Sequence, residues 1–216
     1  MMPVCGKPFL SWLVENLIKL KISVFLSSGK HTTDIHQYFG ESYWEDFNVR
    51  ILIENMPLGT GGAIRFCADS ISTKSFIVLN ADTVLSNLRL KDAVAFHNSN
   101  QFSVTQVLSV ASNQNAGKII VEDNLVAETF ENSASENQAN PENSFSSTGV
   151  YIFEREFVID NFPIEKSSLE IDLLPEFIKA RSVGAWIDST TVTDFGTPDR
   201  YGALNFTETQ LRNMFQ

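Results

Sequence analysis

A chain of 216 residues, 43% hydrophobic and 11% aromatic, is long enough to bury a substantial core, and its formal net charge of -10 is ill suited to tracking the phosphates of DNA or RNA. No apolar run reaches the roughly 18 residues a membrane span needs, and no charged stretch followed by an unbroken apolar core opens the chain, so a cytoplasmic protein with no nucleic-acid or membrane partner is expected. Cys5 and Cys67 form no framework and read as small core residues, and His31, His36 and His97 lack metal-ligand spacing and read as surface or supporting residues.

In chain order, Pro8 followed by Phe9, Trp12, Leu13, Leu17 and Leu20 at helical spacing predicts a helix over 8–20, and Ile22 to Leu26 a strand. Thr33 can cap a short helix that Gly40 stops, and Val49 to Ile53 is a second strand leading into Leu58-Gly59-Thr60-Gly61-Gly62-Ala63. That segment has almost no side chains and opens into a helix over 62–69, so its backbone N–H groups can approach a flat or anionic ligand closely. Phe76 to Leu79 is continuously apolar, the pattern of a strand buried on both faces, and Asp82 follows just past its end, where open α/β sheets gather ligands. Leu88 to His97 returns as a helix.

Beyond residue 102 the texture is mixed. Phe102 to Val110, Lys118 to Val121, Gly149 to Phe153, Val183 to Asp188 and Thr191 to Phe195 are strand-like, with helices over Leu169 to Ala180 and Pro198 to Phe215. Glu131 to Ser147, rich in Asn and Ser, predicts a long flexible exposed loop. The alternation predicts an α/β fold: one Rossmann-like, mixed, mainly parallel sheet flanked by helices in a single domain over 1–216.

Six segments in order carry a resemblance: Pro3 to Pro8, Glu54-Asn55-Met56-Pro57-Leu58-Gly59-Thr60-Gly61-Gly62-Ala63, Leu79-Asn80-Ala81-Asp82-Thr83, Thr148-Gly149-Val150-Tyr151, Ser168-Leu169-Glu170-Ile171-Asp172 and Asp194-Phe195-Gly196-Thr197-Pro198. Together the chain resembles the sugar-1-phosphate nucleotidylyltransferases, and within them most closely the D-glycero-D-manno-heptose 1-phosphate guanylyltransferases; mannose-1-phosphate guanylyltransferases share much of the pattern. The resemblance implies the nucleotide-diphospho-sugar transferase fold. It implies transfer of a nucleoside monophosphate, GMP from GTP, to a sugar 1-phosphate of heptose or mannose type, and a homo-oligomer is compatible with it.

It also implies Mg2+ held by Asp82 and Asp194, which double as the catalytic carboxylates, a nucleotide site at Glu54, Leu58, Gly59, Thr60 and Gly61, and a sugar site at Gly117, Glu131, Gly149 and Glu170. Other readings stay open for several of these. Asp82 and Asp194 can cap the next turn, the glycines can be a tight turn into a helix, and Glu170 can be a first-turn acid favoured by the helix dipole. A dinucleotide-binding loop fits poorly, because the third glycine would fall at Ile64.

Three departures from the family pattern are visible. Asn132 stands where relatives carry a lysine, Ala81 where they prefer glycine, and the opening strand with its Gly-Gly-x-Gly-Thr-Arg-Leu loop and following lysine has no counterpart. The expectations are therefore a sheet with its first strand missing and a native N-terminus upstream of Met1. The alternative is a catalytically silent homologue that binds a nucleotide sugar or a regulatory partner.

Overall fold

The computed structural model describes residues 1–29, 33–40, 44, 46–110, 118–130 and 144–215. Strands β1 (Pro3–Val4) and β2 (Lys7–Pro8) form a tight hairpin whose turn residues Cys5 and Gly6 both have positive φ. Cys5 is therefore exposed at a turn, not in the core as expected: a two-residue hairpin turn of this hand leaves its side chains in solvent. Helix α1 (Phe9–Lys19) follows, burying Phe9, Trp12, Leu13 and Leu17 as their spacing predicts. Then come β3 (Val24–Gly29), α2 (Thr33–Phe39), β4 (Val49–Glu54), α3 (Gly59–Ala68), β5 (Ser75–Leu79), β6 (Thr83–Ser86) and α4 (Leu90–Asn100).

The second half comprises β7 (Val104–Ser109), β8 (Lys118–Glu122), β9 (Leu125–Phe130), β10 (Ser144–Glu154) and α5 (Arg155–Asn161). A π-helical turn (Leu169–Leu173) leads into α6 (Leu174–Lys179), followed by β11 (Val183–Asp188), β12 (Thr191–Asp194), α7 (Pro198–Gly202) and α8 (Glu208–Arg212). The helix expected over Pro198 to Phe215 is thus two short ones, each restarted by a threonine cap, Thr197 and Thr207. Of the loop expected over Glu131 to Ser147, the last four residues are strand instead. Ser144 to Ser147 are the first residues of β10, because Ser144 to Ser146 pair with β8 and Ser146 and Ser147 with β7. Residues 131–143, with Glu131 and Asn132, and residues 111–117, with Gly117, lie outside the described residues.

The α/β architecture is mixed, as expected, but among the described residues it is not one mainly parallel sheet: only β3–β4 and β7–β11 pair in parallel, because β10 and the β8–β9 hairpin enter the large sheet antiparallel. One sheet has the order β5-β10-β7-β11-β9-β8, and β3 pairs with β4 separately. Parallel registers join β3 to β4 and β7 to β11; β5, β8 and β9 enter antiparallel to their neighbours. Among the described residues β3 and β5 do not pair with each other. Strand β5, expected to be buried on both faces, is half-buried throughout, since only β10 covers its backbone.

Two apolar layers sandwich the large sheet. On one side Phe9, Trp12, Leu13 and Leu17 pack with Leu90, Val107, Val150, Ile152, Phe195, Leu211 and Met214. On the other, Ile64, Ala68, Val158, Leu174 and Ile178 pack with Val104, Leu108, Tyr151 and Phe153. The alternation of β7 and β10 assigns successive residues to opposite layers. No helix among the described residues is long and apolar enough to cross a membrane.

His97, expected at the surface or as a supporting residue, is fully buried on α4, with Nδ1 2.8 Å from Thr105 Oγ1. Its Nε2 lies 3.3 Å from Glu154 Oε1, near enough for an ion pair but without hydrogen-bond alignment. Burial lowers the imidazole pKa from 6.5, outweighing the opposing pull of Glu154, and Lys74 lowers it further. The neutral ring is therefore the folded form, and as pH falls through 6.5 the unfolded chain takes up the proton first. The stability that His97 contributes should be complete above pH 6.5 and shrink below it. Urea unfolding at several pH values should show wild type losing its advantage over His97→Gln as the solution is acidified; a difference independent of pH would contradict this.

Candidate active site at the carboxyl ends of the central strands

The site begins where β5 ends. Asp82, two residues past Asn80, immediately precedes β6, and β6 pairs antiparallel with β12 so that Asp194 lies opposite Thr83. Phe195 N donates to Asp82 O at 3.1 Å, and the Phe195 ring is buried against Phe9 with centroids 4.7 Å apart. A side chain carried on an anchored backbone inherits that anchor's precision. A Cβ placed on Gly196 would fall 2.6 Å from Asp82 Oδ2 and 3.3 Å from Asp194 Oδ1. The two carboxylates flank one glycine, brought together by the β6–β12 ladder.

Asp194 has local duties as well. Its Oδ1 accepts from Gly196 N at 2.7 Å, and its Oδ2 accepts from Arg200 Nη1 at 2.6 Å in a pair about two-fifths exposed on each side. Asp82 caps no helix; a strand follows it, and Thr83 Oγ1 sits 3.4 Å from its Oδ1. The cap of α7 is Thr197, which accepts from Arg200 N. Two hard carboxylate donors on a glycine-lined surface suit a magnesium ion that draws its remaining ligands from phosphate and water. No cluster of three or more such side chains occurs among the described residues.

The glycine segment is placed differently from the expectation of a free backbone cradle. It forms the first turn of α3, and its bare face is covered by residues 165–167. Gly61 N donates to Ser167 O and Ser167 N to Leu58 O, both at 2.9 Å. Gly59 has φ +69, and a Cβ there would lie 2.4 Å from Ser167 O; at Gly61 it would meet Ser167 Oγ at 2.5 Å, and at Gly62 Glu165 O at 2.6 Å. Glycine is required here for close approach of two backbones as much as for any ligand. Glu54 braces the turn, accepting from Leu58 N at 3.0 Å and from Ser27 Oγ at 2.7 Å. Next to it, burial raises the Cys67 thiol pKa and Glu54 adds to the effect, against a lowering hydrogen bond with Ser27.

Thr60 joins this turn to Leu169 and Glu170. Its hydroxyl donates to Glu170 Oε2 at 2.9 Å and accepts from Leu169 N at 2.7 Å. Glu170 does occupy the first turn of its helix, where Ser168 caps by accepting from Ile171 N. Gly149 completes the arrangement from β10, where the register against β7 shifts between Ser147 and Val150. Inside this bulge Thr148 Oγ1 donates to Val107 O at 2.7 Å and accepts from Val150 N, replacing the ladder locally. Gly149 takes φ +71, and a Cβ would lie 2.7 Å from Asn80 Nδ2. Asn80 N donates to Gly149 O at 3.3 Å, linking the Gly149 bulge to the turn that carries Asp82.

Of the expected residues, then, Asp82 and Asp194 converge, Thr60 and Glu170 bond directly, and Gly149 touches the Asn80 turn. Glu54 and Leu58 brace the glycine segment. Ser167, Asn80 and Arg200 are the neighbours that sequence reasoning missed. Asn80 lay within a recognised segment, but the other two are brought in only by the fold.

The nucleotidyl transferase family model matches residues 1–210. A mannose-1-phosphate guanylyltransferase of Mycobacterium tuberculosis is 29% identical over 208 residues, covering 93% of this chain and 56% of the relative. The chain thus spans little more than half of that protein. A D-glycero-alpha-D-manno-heptose 1-phosphate guanylyltransferase of Aneurinibacillus thermoaerophilus is 29% identical over 203 residues, covering 93% of this chain and 85% of the relative. Among solved structures, HddC from Yersinia pseudotuberculosis complexed with GMP-PN superimposes with a TM-score of 0.76 at 27% identity, covering 94% of this chain and 86% of that one.

The packing of the glycine turn generates a stability test. Gly59→Ala and Gly61→Ala should each destabilise the fold by about 1 to 3 kcal/mol through overpacking against residues 165–167, Gly59→Ala the more because of its left-handed backbone. Urea midpoints with unchanged slopes would measure this; wild-type midpoints would mean that the two segments separate freely.

Proposed function

The chain belongs to the nucleotidyl transferase family, and from that membership we propose that it is a sugar-1-phosphate guanylyltransferase joining GTP to a heptose or mannose 1-phosphate. The observation that carries this reading is the meeting of Asp82 and Asp194 at Gly196, beside a segment in which Asn80 touches Gly149. In the reaction a phosphate oxygen of the sugar 1-phosphate attacks the α-phosphorus of the nucleotide, and the bond to the β-phosphate breaks to release pyrophosphate. Both reactants are polyanions, so the protein's work is positioning and charge neutralisation.

Asp82 and Asp194 would hold a magnesium ion, which when bound offsets phosphate charge. In this proposal Glu54, Leu58, Gly59, Thr60 and Gly61 border the nucleotide. Gly149 and Glu170 face the sugar, Glu170 as an acceptor for hydroxyl protons, and Gly117 and Glu131 join that sugar group in the proposal. Arg200, paired to Asp194, orients that acid. The substrates are soluble polyanions, in keeping with a cytoplasmic setting.

The test is pyrophosphate release from GTP with mannose 1-phosphate or heptose 1-phosphate in the presence of magnesium. Asp82→Asn should lower turnover about 100-fold or more, the scale of losing one preorganised electrostatic contact, while its thermal unfolding stays close to wild type. Full turnover by the variant would remove Asp82 from the mechanism. Tight binding of a GDP-sugar by wild type, without turnover of any nucleoside triphosphate and sugar 1-phosphate pair, would instead identify a silent binding homologue.

A further inference from the structure

Both oxygens of Asp194 are engaged. Oδ1 accepts from Gly196 N at 2.7 Å and Oδ2 from Arg200 Nη1 at 2.6 Å, so a guanidinium stands at a carboxylate assigned above to a divalent ion. The backbone that carries Arg200 is anchored. Thr197 caps the helix by accepting from Arg200 N, the neighbouring Tyr201 hydroxyl donates to Pro3 O at 2.6 Å, and the Tyr201 ring centroid lies 6.3 Å from that of buried Phe195. The Arg200 side chain has no such support: it is 42% exposed, and among the described residues Asp194 is its one side-chain partner.

Two cations cannot share this edge of Asp194. Arginine stays charged at every pH a folded protein meets, so Arg200 cannot make way for a second cation by losing a proton, as a lysine could. It makes way by moving. An ion pair two-fifths exposed on each side is weak, and a divalent ion offers the same carboxylate twice the charge. Asp82 Oδ2, beside Gly196, adds a second carboxylate with which Arg200 forms no ion pair.

Resting on the reading of Asp82 and Asp194 as the metal carboxylates of a guanylyltransferase, we propose that Arg200 is a phosphate-binding residue stored on Asp194. It orients that acid while no divalent ion is present, and once displaced it pairs with a phosphate of the substrate. The guanidinium is a planar fork of N–H donors that fits phosphate oxygens two at a time. The anchored helix keeps the displaced side chain in the neighbourhood of Asp194, where phosphates accompany the ion.

The two roles carry opposite signs. As a rival of the divalent ion, Arg200 weakens binding of the ion alone; as a partner of phosphate, it strengthens substrate binding when the ion is present. A residue that only braced Asp194 would support both, and its loss would weaken both.

Mn2+ serves as the probe, its free fraction read by electron paramagnetic resonance, on wild type, Arg200→Ala, Arg200→Gln and Arg200→Lys. Without nucleotide, the two neutral variants should bind Mn2+ about threefold to tenfold more tightly than wild type, the scale of removing one exposed ion pair. Arg200→Lys, which keeps the charge, should stay near wild type. At saturating Mn2+, calorimetry should show the neutral variants binding GTP or mannose 1-phosphate about tenfold more weakly, and the ligand that loses affinity identifies whose phosphate Arg200 takes. Unchanged or weaker Mn2+ binding in the neutral variants overturns the proposal, as does unchanged affinity for both phosphate ligands.

Should the neutral variants fail to fold, the Arg200 Nε–H resonance of nitrogen-labelled wild type, assigned by its absence in Arg200→Lys, must move on adding Mg2+; a stationary resonance overturns the proposal alone. Equal Mn2+ affinity in wild type and Asp82→Asn would strike the reading of the two aspartates, and this proposal with it. Ion binding that depends on Asp82 but ignores Arg200 overturns only the proposal.

Discussion

Backbone hydrogen bonding along β10 is the constraint on which the rest depends. This strand is laddered to β7 on one side and to β8 and then β5 along the other, so its position is fixed by neighbours from both halves of the chain. A bulge is tolerated in such a strand only if the lost ladder bonds are replaced, and Thr148 replaces them with its hydroxyl. The bulge in turn places Gly149 against Asn80, and through the Asn80 turn it meets Asp82. One strand therefore positions Gly149 and, at one remove, a carboxylate.

A second contact fixes the other side of the site. Residues 165–167 lie so close to the first turn of α3 that no side chain fits at Gly59, Gly61 or Gly62. That closeness carries Ser168 and Glu170 to Thr60, and the Thr60–Glu170 hydrogen bond joins what the sequence presents as a nucleotide segment and a sugar segment.

The electrostatics of the described site are dominated by acids. Asp82, Asp194, Glu54 and Glu170 all border it, with Arg200 paired to Asp194. Such a surface repels a triphosphate unless cations accompany it, which is why a divalent ion suits the two aspartates.

What the sequence determined by itself was the set of elements with strong periodicity and the glycine and aspartate segments. Helix α1, strands β5 and β11 and the turn at Leu58 to Gly62 were legible because local patterning and conformational demand are written in consecutive residues. The strands β6 and β9 and helix α5 were not anticipated; they are short, and their stability comes from partners far away in the chain. Tertiary structure alone decided that the glycines serve a backbone clamp with residues 165–167, that His97 is buried, and that Ser144 to Ser147 belong to a strand instead of a loop. It alone showed Arg200 against Asp194. Each of these depends on distances between side chains and backbones that the fold sets, and a period of 2 or 3.6 records which face a side chain occupies, never what it meets there.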